Sequence, residues 1–247
     1  KRVFWKGVAE ELLFFIRGHT DANLLSKKGV KIWNPNTTRE FLDNRGLTNY
    51  ETGDMGPMYG FNWRHFGTPY EGKSKDYSNK GFDQLKYCIN EIMKNPSSRR
   101  IVMTAFNPTT TDDAVFPPCH SVVVQFYVKD GVLSEHMYQR SSDSFLGLPF
   151  NITQHALLLK LVAHITGLKP GKLYISLGDC HIYDIHREQV LKQLKNCTYP
   201  FPTLRINKNI PNGTSVDERI KLLEQVKYDD LQLQNYVCCP TIKAKMS

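Results

Sequence analysis

The sequence predicts a single α+β domain over residues 1–247, with a mixed and mostly β-sheet core flanked by helices, on three observations. The chain has 247 residues, which is enough to bury one large core. β-Branched and aromatic residues at 121–128 and 132–139, separated by a Lys-Asp-Gly turn, predict a central hairpin. Helical apolar patterns lie on both sides of that hairpin, without an internal repeat or a linker.

The N-terminal half is predicted to contain three helices joined by loops. The first covers residues 3–17 and ends at Gly18, and the second covers 39–44 behind the capping residue Thr38. The third, at 82–94, places its apolar side chains on one face. Those side chains are Phe82, Leu85, Ile89 and Ile92. The other predicted elements are an extended piece at 29–36, a glycine- and aromatic-rich loop at 53–66, a polar surface loop at 67–81 and a strand at 101–106.

The C-terminal half is predicted to contain further helices and strands. An apolar helix covers 152–166 and closes at Gly167, so Asn151 could be no more than its N-cap. Another helix is expected from about 181 to 195, with His181 and Tyr183 in its first turn. The predicted strands are 172–177, 204–206 and 231–236.

Two adjacent glutamates on the first helix receive different predictions. Glu10 shares a helical face with Lys6 and Arg17, which predicts a solvated side chain. Glu11 falls among phenylalanines, where lost hydration should raise the pKa of its carboxyl toward that of a useful proton donor. The alternative is that Glu11 only lies at the edge of the apolar stripe, which is the commoner outcome for a lone glutamate.

The best candidate for chemistry is Cys119. Pro117 and Pro118 restrain the backbone that leads to it, and the hairpin would return Arg140 to the same edge of the sheet. A guanidinium near a thiol favours the thiolate, which is the form that attacks electrophiles. Cys119 and Arg140 are therefore predicted to act together as a nucleophile and its activator.

Three alternatives stay open for Cys119 on these residues alone. A free cysteine is often only a small buried hydrophobe. A papain-like couple with His120 is disfavoured, because neighbouring residues on a strand point to opposite faces. A metal site would draw on Cys119-His120 and Cys180-His181, which lack the short paired spacing of zinc ligands, so no metal is predicted.

Bulk properties restrict the class of protein. The net charge of +8 indicates anionic partners, either phosphate-bearing small molecules or nucleic acid. The six cysteines lack a disulfide framework, which favours a cytoplasmic location and allows a nuclear one. No apolar run is long enough to span a membrane. The sequence begins at Lys1 rather than Met, and we expect a truncated N-terminus.

Several motifs together resemble the thymidylate synthase family. The resemblance runs from one end of the chain to the other, and several of the motifs are specific to that family. They are KRVFWKG at 1–7, KIW at 31–33, YGFNWRHFG at 59–67, PPCH at 117–120, YQRS at 138–141, LPFN at 148–151, LGD with HIY at 177–183, and PTIK at 240–243.

This resemblance implies a homodimer, joined through its sheets, that methylates dUMP at C5 to give dTMP. Methylenetetrahydrofolate would be both carbon donor and reductant, with dihydrofolate released. By the same match, Cys119 adds to C6 and Arg140 favours its thiolate. Asn151 would donate to O4 and accept from N3–H, a pattern that cytosine reverses. Glu11 and Tyr59 would act through ordered water, Glu11 on O4 and the folate and Tyr59 on the C5 proton.

The resemblance also implies which residues hold the two ligands. Four side chains would hold the dUMP phosphate, two from each subunit, and a further arginine would lie upstream of the sequence given. The four are Arg140 and Ser141 from one subunit and Arg99 and Arg100 from the other. The other dUMP positions are Gln139, Asp143, Asn151, and His181 with Tyr183 at the ribose 3′-hydroxyl. The folate positions are Ile32, Trp33, Asn36, Asp143, Leu146, Gly147, Phe150 and Met246.

The sequence departs from the family pattern at a few places. Between Cys119 and Gln125 there are five residues where the family commonly has four, so we expect a β-bulge there. The other departures are Phe106 for the usual Trp, Glu135-His136 for a more apolar pair, Cys180 for a small residue in a packing role, and a tail at 244–247 unlike the small apolar terminus that closes over the folate.

Two rival functions remain. A nucleotide hydroxymethylase of the same fold would add the one-carbon unit but release no dihydrofolate. A nucleic-acid-binding protein would use the positive charge and show steeply salt-dependent binding, and RNA binding could coexist with catalysis. The sequence also allows a fusion to, or association with, dihydrofolate reductase.

Overall fold

A four-stranded mixed sheet forms the centre of the computed structural model, which describes residues 2–245. Its strand order is β1-β2-β3-β4, with β1–β2 and β2–β3 antiparallel and β3–β4 parallel. These strands are β1 (Val102–Met103), β2 (Val123–Lys129), β3 (Val132–Asp143) and β4 (Lys169–His181). A smaller antiparallel sheet pairs β5 (Thr203–Ile206) with β6 (Leu231–Gln234). The predicted α+β class with a mixed sheet is confirmed.

The described part of the chain contains eight α-helices. They are α1 (Trp5–Ile16), α2 (Asn23–Ser26), α3 (Arg39–Asn44), α4 (Tyr59–Arg64), α5 (Gln84–Lys94), α6 (Gly147–Thr166), α7 (Arg187–Leu194) and α8 (Val216–Glu224). Short 3₁₀ helices cover Asn34–Asn36, Pro108–Thr110, Asp184–His186 and Tyr228–Asp230.

The core is shared by helices and sheet, so the expectation of a mostly β core was wrong. Leu12 of α1 and Leu161 of α6 are as fully buried as Val124 of β2. Only one face of the sheet is covered, because the alternate residues of β2, such as Val123 and Tyr127, are 41% and 58% exposed. The buried face therefore needs the helices to complete the core.

The central hairpin forms as predicted. Asp130 and Gly131 both have positive φ, 51° and 74°, which is the geometry of a two-residue turn that matches strand twist. The expected irregularity also appears before β2, where Ser121 has φ of 56°. Val123 pairs with Tyr138, yet the backbone N–H of Arg140 donates to the carbonyl of Cys119. The chain therefore advances four residues from Cys119 to Val123 while the facing strand advances two, from Tyr138 to Arg140, as in an extended β-bulge.

Several predicted boundaries were wrong for local reasons. Helix α6 begins at Gly147 rather than 152, because Asp143 Oδ1 accepts the backbone N–H groups of Phe145 and Leu146 and turns the chain early. Pro149 is tolerated in the first turn of α6, where no intrahelical N–H is needed. Asn151 is consequently inside the helix, so it is not the N-cap.

Other differences concern shorter stretches. The stretch 53–66 contains helix α4 instead of being a loop throughout, and β4 continues to His181, so no helix begins there. Phe82 is 54% exposed and lies before α5, whose N-cap is Asp83. Thr38 does cap α3, and Gly167 does end α6. Within residues 2–245, no helix is both long and apolar enough to cross a membrane.

Candidate active site

Cys119 lies on a short strap of backbone at one end of the sheet. The strap is held by Arg140 in two ways. The backbone N–H of Arg140 donates to the Cys119 carbonyl at 2.9 Å. Its guanidinium donates from Nε to the Pro118 carbonyl at 2.9 Å and from Nη2 to the Pro117 carbonyl at 2.8 Å. The predicted return of Arg140 to the edge that carries Cys119 is confirmed, and the guanidinium also fixes the backbone that presents the thiol.

The sulfur of Cys119 is placed against a tyrosine hydroxyl. The backbone N–H of Cys119 donates to Tyr59 Oη at 3.1 Å, and the same oxygen lies 3.5 Å from Cys119 Sγ. Since Oη already accepts the N–H, its own proton can be directed at the sulfur. Burial and the neighbouring sulfur raise the pKa of Tyr59 well above its usual value, so the phenol keeps that proton.

Tyr59 reaches this position because α4 packs closely on α1. Gly60 makes that contact: a Cβ there would lie 2.6 Å from the backbone oxygen of Phe15. The Phe15 ring stacks on Tyr59 with centroids 4.8 Å apart and planes at 20°. A glycine directly after the tyrosine is therefore a requirement of the packing of the two helices.

Glu11 of α1 faces the same region, and both of its carboxylate oxygens are bonded. Trp33 Nε1 donates to Oε1 at 2.7 Å, and Gln154 Nε2 donates to Oε2 at 2.8 Å. Burial raises the pKa of Glu11 to about 7, and the two hydrogen bonds oppose that rise. The expectation of a raised pKa for Glu11 agrees with this value. A carboxyl with this pKa can exchange a proton near neutral pH.

Gln154 was missed by the sequence analysis. It is buried on α6, one helical turn after Asn151, so the two side chains share a face. The i, i+3 spacing from Asn151 could have suggested it. Glu10, in contrast, was wrongly expected to be solvated: it is 6% exposed and Lys28 Nζ lies 2.6 Å from its Oε2. Lys28 comes from the loop after α2, a contact that helical periodicity cannot reveal.

Asn151 is half-buried in the first turns of α6, and its carboxamide has no hydrogen-bond partner among residues 2–245. Its Oδ1 lies beside Gly147, where an added Cβ would be 3.6 Å away. The donor and acceptor of the carboxamide are thus free to bind a ligand, and the absence of a side chain at Gly147 leaves space for it.

The parallel pairing of β3 and β4 brings the predicted ribose residues next to Asp143. Asp143 pairs with His181 across the ladder, and the ring centroids of His181 and Tyr183 are 5.0 Å apart. Gln139 and Ser141 lie on β3 just before Asp143. The Gln139 amide is buried, donates to the Ser141 carbonyl at 3.0 Å, and leaves its Oε1 without a partner in the described chain.

Arg99 and Arg100 are not brought to the site of their own chain. Both are exposed, just before β1, and Val102 pairs with Gln125. The antiparallel register places the pair alongside the hairpin end of β2, roughly 20 Å or more along the sheet from Cys119. A phosphate bound near Cys119 can therefore meet these arginines only if a second copy supplies them.

The described residues assigned to the folate are all at least partly exposed. Ile32 is exposed, while the remaining members are half-buried. Those members are Trp33, Asn36, Asp143, Leu146, Gly147 and Phe150. Met246 lies outside the described residues. Cys180 was expected only to pack, but it is exposed and its Sγ lies 3.0 Å from Ser144 Oγ. Across residues 2–245, no group of three or more His, Cys, Asp or Glu side chains could hold a metal ion.

Comparison with known proteins identifies the sequences that share this arrangement of motifs. The family model described as thymidylate synthase matches residues 1–247. The thymidylate synthase of Homo sapiens is 49% identical over 247 residues, which are 100% of this chain and 75% of the human protein. That of Human herpesvirus 8 type P is 47% identical over the same length, 70% of the viral protein. The bifunctional dihydrofolate reductase-thymidylate synthase 1 of Arabidopsis thaliana is 51% identical over 247 residues, 46% of the plant protein.

Proposed function

The chain belongs to the thymidylate synthase family of methyltransferases, and from this premise we propose that it methylates dUMP through a covalent bond between Cys119 Sγ and C6 of the pyrimidine. One observation supports the covalent step above all others. Cys119 is held by its backbone and faces a protonated hydroxyl 3.5 Å away, so its sulfur has a fixed position and a hydrogen-bond donor. C5 of uracil is a poor nucleophile until a nucleophile adds at C6, which is the task assigned to Cys119.

Addition of the sulfur sends an electron pair through the ring to O4. The carbon–sulfur bond forms as the C5–C6 double bond breaks, and the resulting enolate needs hydrogen-bond donors. We assign Asn151 to O4 and N3–H, since its unpaired carboxamide offers one donor and one acceptor. Cytosine presents the reverse pattern, so the same carboxamide selects uracil.

Glu11 is assigned to proton transfer near O4 through ordered water. A carboxyl with a pKa of about 7 can both give and take a proton at physiological pH. Trp33 and Gln154 fix both of its oxygens, so any bridging water would share lone pairs with these two donors. Tyr59, between Glu11 and Cys119, is assigned to the water that removes the C5 proton.

Enzymes of this family use methylenetetrahydrofolate as co-substrate, which supplies the one-carbon unit and the hydride when bound. The residues assigned to the folate fit such a group. The missing side chain of Gly147 leaves a space between Asp143 and Asn151, where a Cβ would lie 3.6 Å from both. The 38% exposed Ile32 and the half-buried Trp33, whose indole bonds Glu11, offer apolar surface. The chain would bind and orient the folate with these residues and keep Glu11 within reach.

The phosphate site is proposed to form between two copies of the chain. Arg140 and Ser141 would come from one copy, and Arg99 and Arg100 from the second. The uncovered sheet face supports this dimer, because it exposes large apolar side chains that a monomer would leave in water. Those side chains are Val102, Val123, Tyr127, Tyr138 and Tyr174, between 37% and 58% exposed.

Three further properties are proposed for this chain. All six cysteines are free, which agrees with a cytoplasmic or nuclear location. From the plant relatives named bifunctional dihydrofolate reductase-thymidylate synthase, we propose a fusion to, or association with, a reductase for this chain. RNA binding stays a prediction from the net charge of +8.

The direct test of the proposed function is to follow dihydrofolate formation by absorbance with dUMP and methylenetetrahydrofolate, beside an identical reaction with dCMP. Methylated nucleotide should appear in equal amount to dihydrofolate with dUMP, and neither with dCMP. Consumption of the folate without dihydrofolate would indicate hydroxymethylation instead. No turnover, together with salt-dependent RNA binding, would favour a nucleic-acid-binding role.

A further inference from the structure

A buried chain of polar side chains runs behind the nucleophile and has no part in the steps assigned above. Glu135 Oε1 lies 2.5 Å from His155 Nδ1, and His155 Nε2 lies 2.9 Å from Ser121 Oγ. Ser121 Oγ lies 2.9 Å from His120 Nδ1. All four side chains are nearly inaccessible, with exposures between 0% and 7%. This order of contacts resembles a hydrolytic triad, but burial denies it any substrate.

This chain of hydrogen bonds ends at His120, directly beside the candidate active site. His120 follows Cys119, and its ring stacks on Tyr59 with centroids 4.5 Å apart and planes at 23°. Phe15 stacks on Tyr59 at 4.8 Å, and two parallel rings this close must occupy opposite faces of it. The His120 ring therefore forms one wall of the slot that directs Tyr59 Oη at Cys119 Sγ.

The direction of the hydrogen bonds follows from the state of Glu135. Its Oε2 is buried without a partner in the described chain, a position that would be very costly for a carboxylate and less so for a neutral acid. Burial raises the pKa of Glu135 well above its usual value and lowers the pKa of His155 to about 3. Glu135 and His155 are thus a neutral acid and a neutral imidazole, not an ion pair.

A neutral Glu135 determines which group donates in each of the three hydrogen bonds. Its O–H donates to His155 Nδ1, so the one ring proton of His155 is on Nε2 and is donated to Ser121. A hydroxyl has one proton, so Ser121 must then donate to His120 Nδ1. The proton of His120 is left on Nε2. If Glu135 were ionised, all three hydrogen bonds would reverse and both rings would carry their proton on Nδ1.

We propose that Glu135, His155 and Ser121 are positioning residues for the nucleophile, which hold His120 in its Nε2–H tautomer against Tyr59. None of the three touches substrate or the reacting sulfur, and they act only through His120. Their effect on turnover rests on the proposed function, whereas the tautomers they impose do not.

The backbone conformation of Ser121 is a second observation in favour of a specific role for its hydroxyl. Its φ of 56° is a left-handed conformation that serine adopts rarely, and glycine would adopt it without strain. The strained conformation places Ser121 Oγ between the imidazole of His120, in the segment before β2, and the imidazole of His155, on α6. The Ser121→Gly variant therefore removes the hydroxyl together with its CH2 group and relaxes the backbone, so it interrupts the hydrogen-bond chain without adding strain.

The proposal is tested first by the ¹⁵N NMR spectrum of the histidine rings, with the signals of His120 and His155 assigned from His→Phe variants. Both rings should show the Nε2–H tautomer in the wild-type protein. Glu135→Gln, whose amide can still donate to Nδ1, should keep both, while Ser121→Gly should release His120 alone. Nδ1–H tautomers in the wild type would overturn the proposal.

Kinetics provide the second test. Glu135→Met removes the donor at similar volume, and Ser121→Gly removes the link; each should lower kcat by about tenfold with less than a twofold change in the KM for dUMP. Glu135→Gln should recover most of that loss. His164→Phe is the matched control, since His164 is on the same helix but bonds the Lys208 carbonyl, and it should leave kcat unchanged.

These outcomes separate the proposal from a purely structural role. Equal kcat for Glu135→Gln and Glu135→Met, or wild-type kcat in Ser121→Gly, would contradict it. If Glu135→Met does not fold, the comparison of Ser121→Gly with His164→Phe decides the matter. A wild-type protein that makes no dTMP but shows both Nε2–H tautomers would refute the proposed function and leave the hydrogen-bond chain standing.

Discussion

Replacing Trp33 by phenylalanine should raise the pKa of Glu11 from about 7 to about 8. The indole N–H donates to Glu11 Oε1 at 2.7 Å, and this bond favours the ionised carboxylate. A hydrogen bond to a charged group contributes about 1.5–3 kcal/mol, and one pKa unit corresponds to about 1.4 kcal/mol. Because Glu11 is half-buried and water can replace part of the lost bond, the lower end of that range applies, about one unit.

The assay is the pH dependence of kcat/KM for dUMP. If the ionised form of Glu11 is active, the rate rises with pH through about 7, and in Trp33→Phe this rise should move to about 8. If the protonated form is active, the rate falls through the same pH, and the fall should also move upward. The pH midpoint therefore moves upward whether Glu11 acts in its ionised or its protonated form. ¹³C NMR of the Glu11 carboxyl measures the same pKa without turnover.

A matched control is available in Trp63. Its Nε1 has no hydrogen-bond partner in the described chain, and its ring packs on Phe15 rather than on Glu11. Trp63→Phe thus removes an indole N–H without affecting the carboxylate and should leave the midpoint near 7. An unmoved midpoint in Trp33→Phe, in a variant that still turns over, would refute the assignment of Glu11 as the titrating group.

Asn151→Asp should shift the dUMP-to-dCMP ratio of kcat/KM toward dCMP by about tenfold, because a protonated carboxyl reverses part of the hydrogen-bond pattern; an unchanged ratio would remove Asn151 from base recognition. Gly60→Ala should lower the free energy of unfolding in urea by about 1–3 kcal/mol, since its Cβ would lie 2.6 Å from a backbone oxygen of α1, and equal stability would disprove that close packing. Mixing Cys119→Ala with Arg99→Ala/Arg100→Ala, after subunit exchange, should restore about a quarter of wild-type activity, because half the dimers are mixed and each has one intact site. Background activity despite exchange would place the phosphate site within one chain.

The sequence predicted those parts of the fold that depend on local chemistry. The hairpin follows from Asp130-Gly131, which can both adopt positive φ, and the end of α6 follows from Gly167. The predicted start of α6 was wrong, because the side chain of Asp143, four residues before the helix, turns the chain before any helical periodicity begins. Such a contact leaves no periodic signal in the sequence.

The candidate site was predictable where one side chain is marked by its neighbours and hidden where it depends on distant elements. The prolines before Cys119 marked the nucleophile, and the phenylalanines around Glu11 marked a carboxyl of raised pKa. The pairing of Glu135 with His155, however, joins β3 to α6, and the sequence showed only an unusual polar residue on a strand. Gln154 was hidden for the same reason, because its partner lies on α1.

The central claim is that Cys119 forms the covalent bond to the pyrimidine, and peptide mapping of a trapped adduct tests it most directly. The protein is incubated with 5-fluoro-dUMP and methylenetetrahydrofolate, digested and examined by mass spectrometry. The adduct mass should appear only on the peptide that contains Cys119, and Cys119→Ser should form none while still binding dUMP. An adduct on the exposed Cys180 or the buried Cys88, or no adduct in a protein that makes dTMP, would contradict the account.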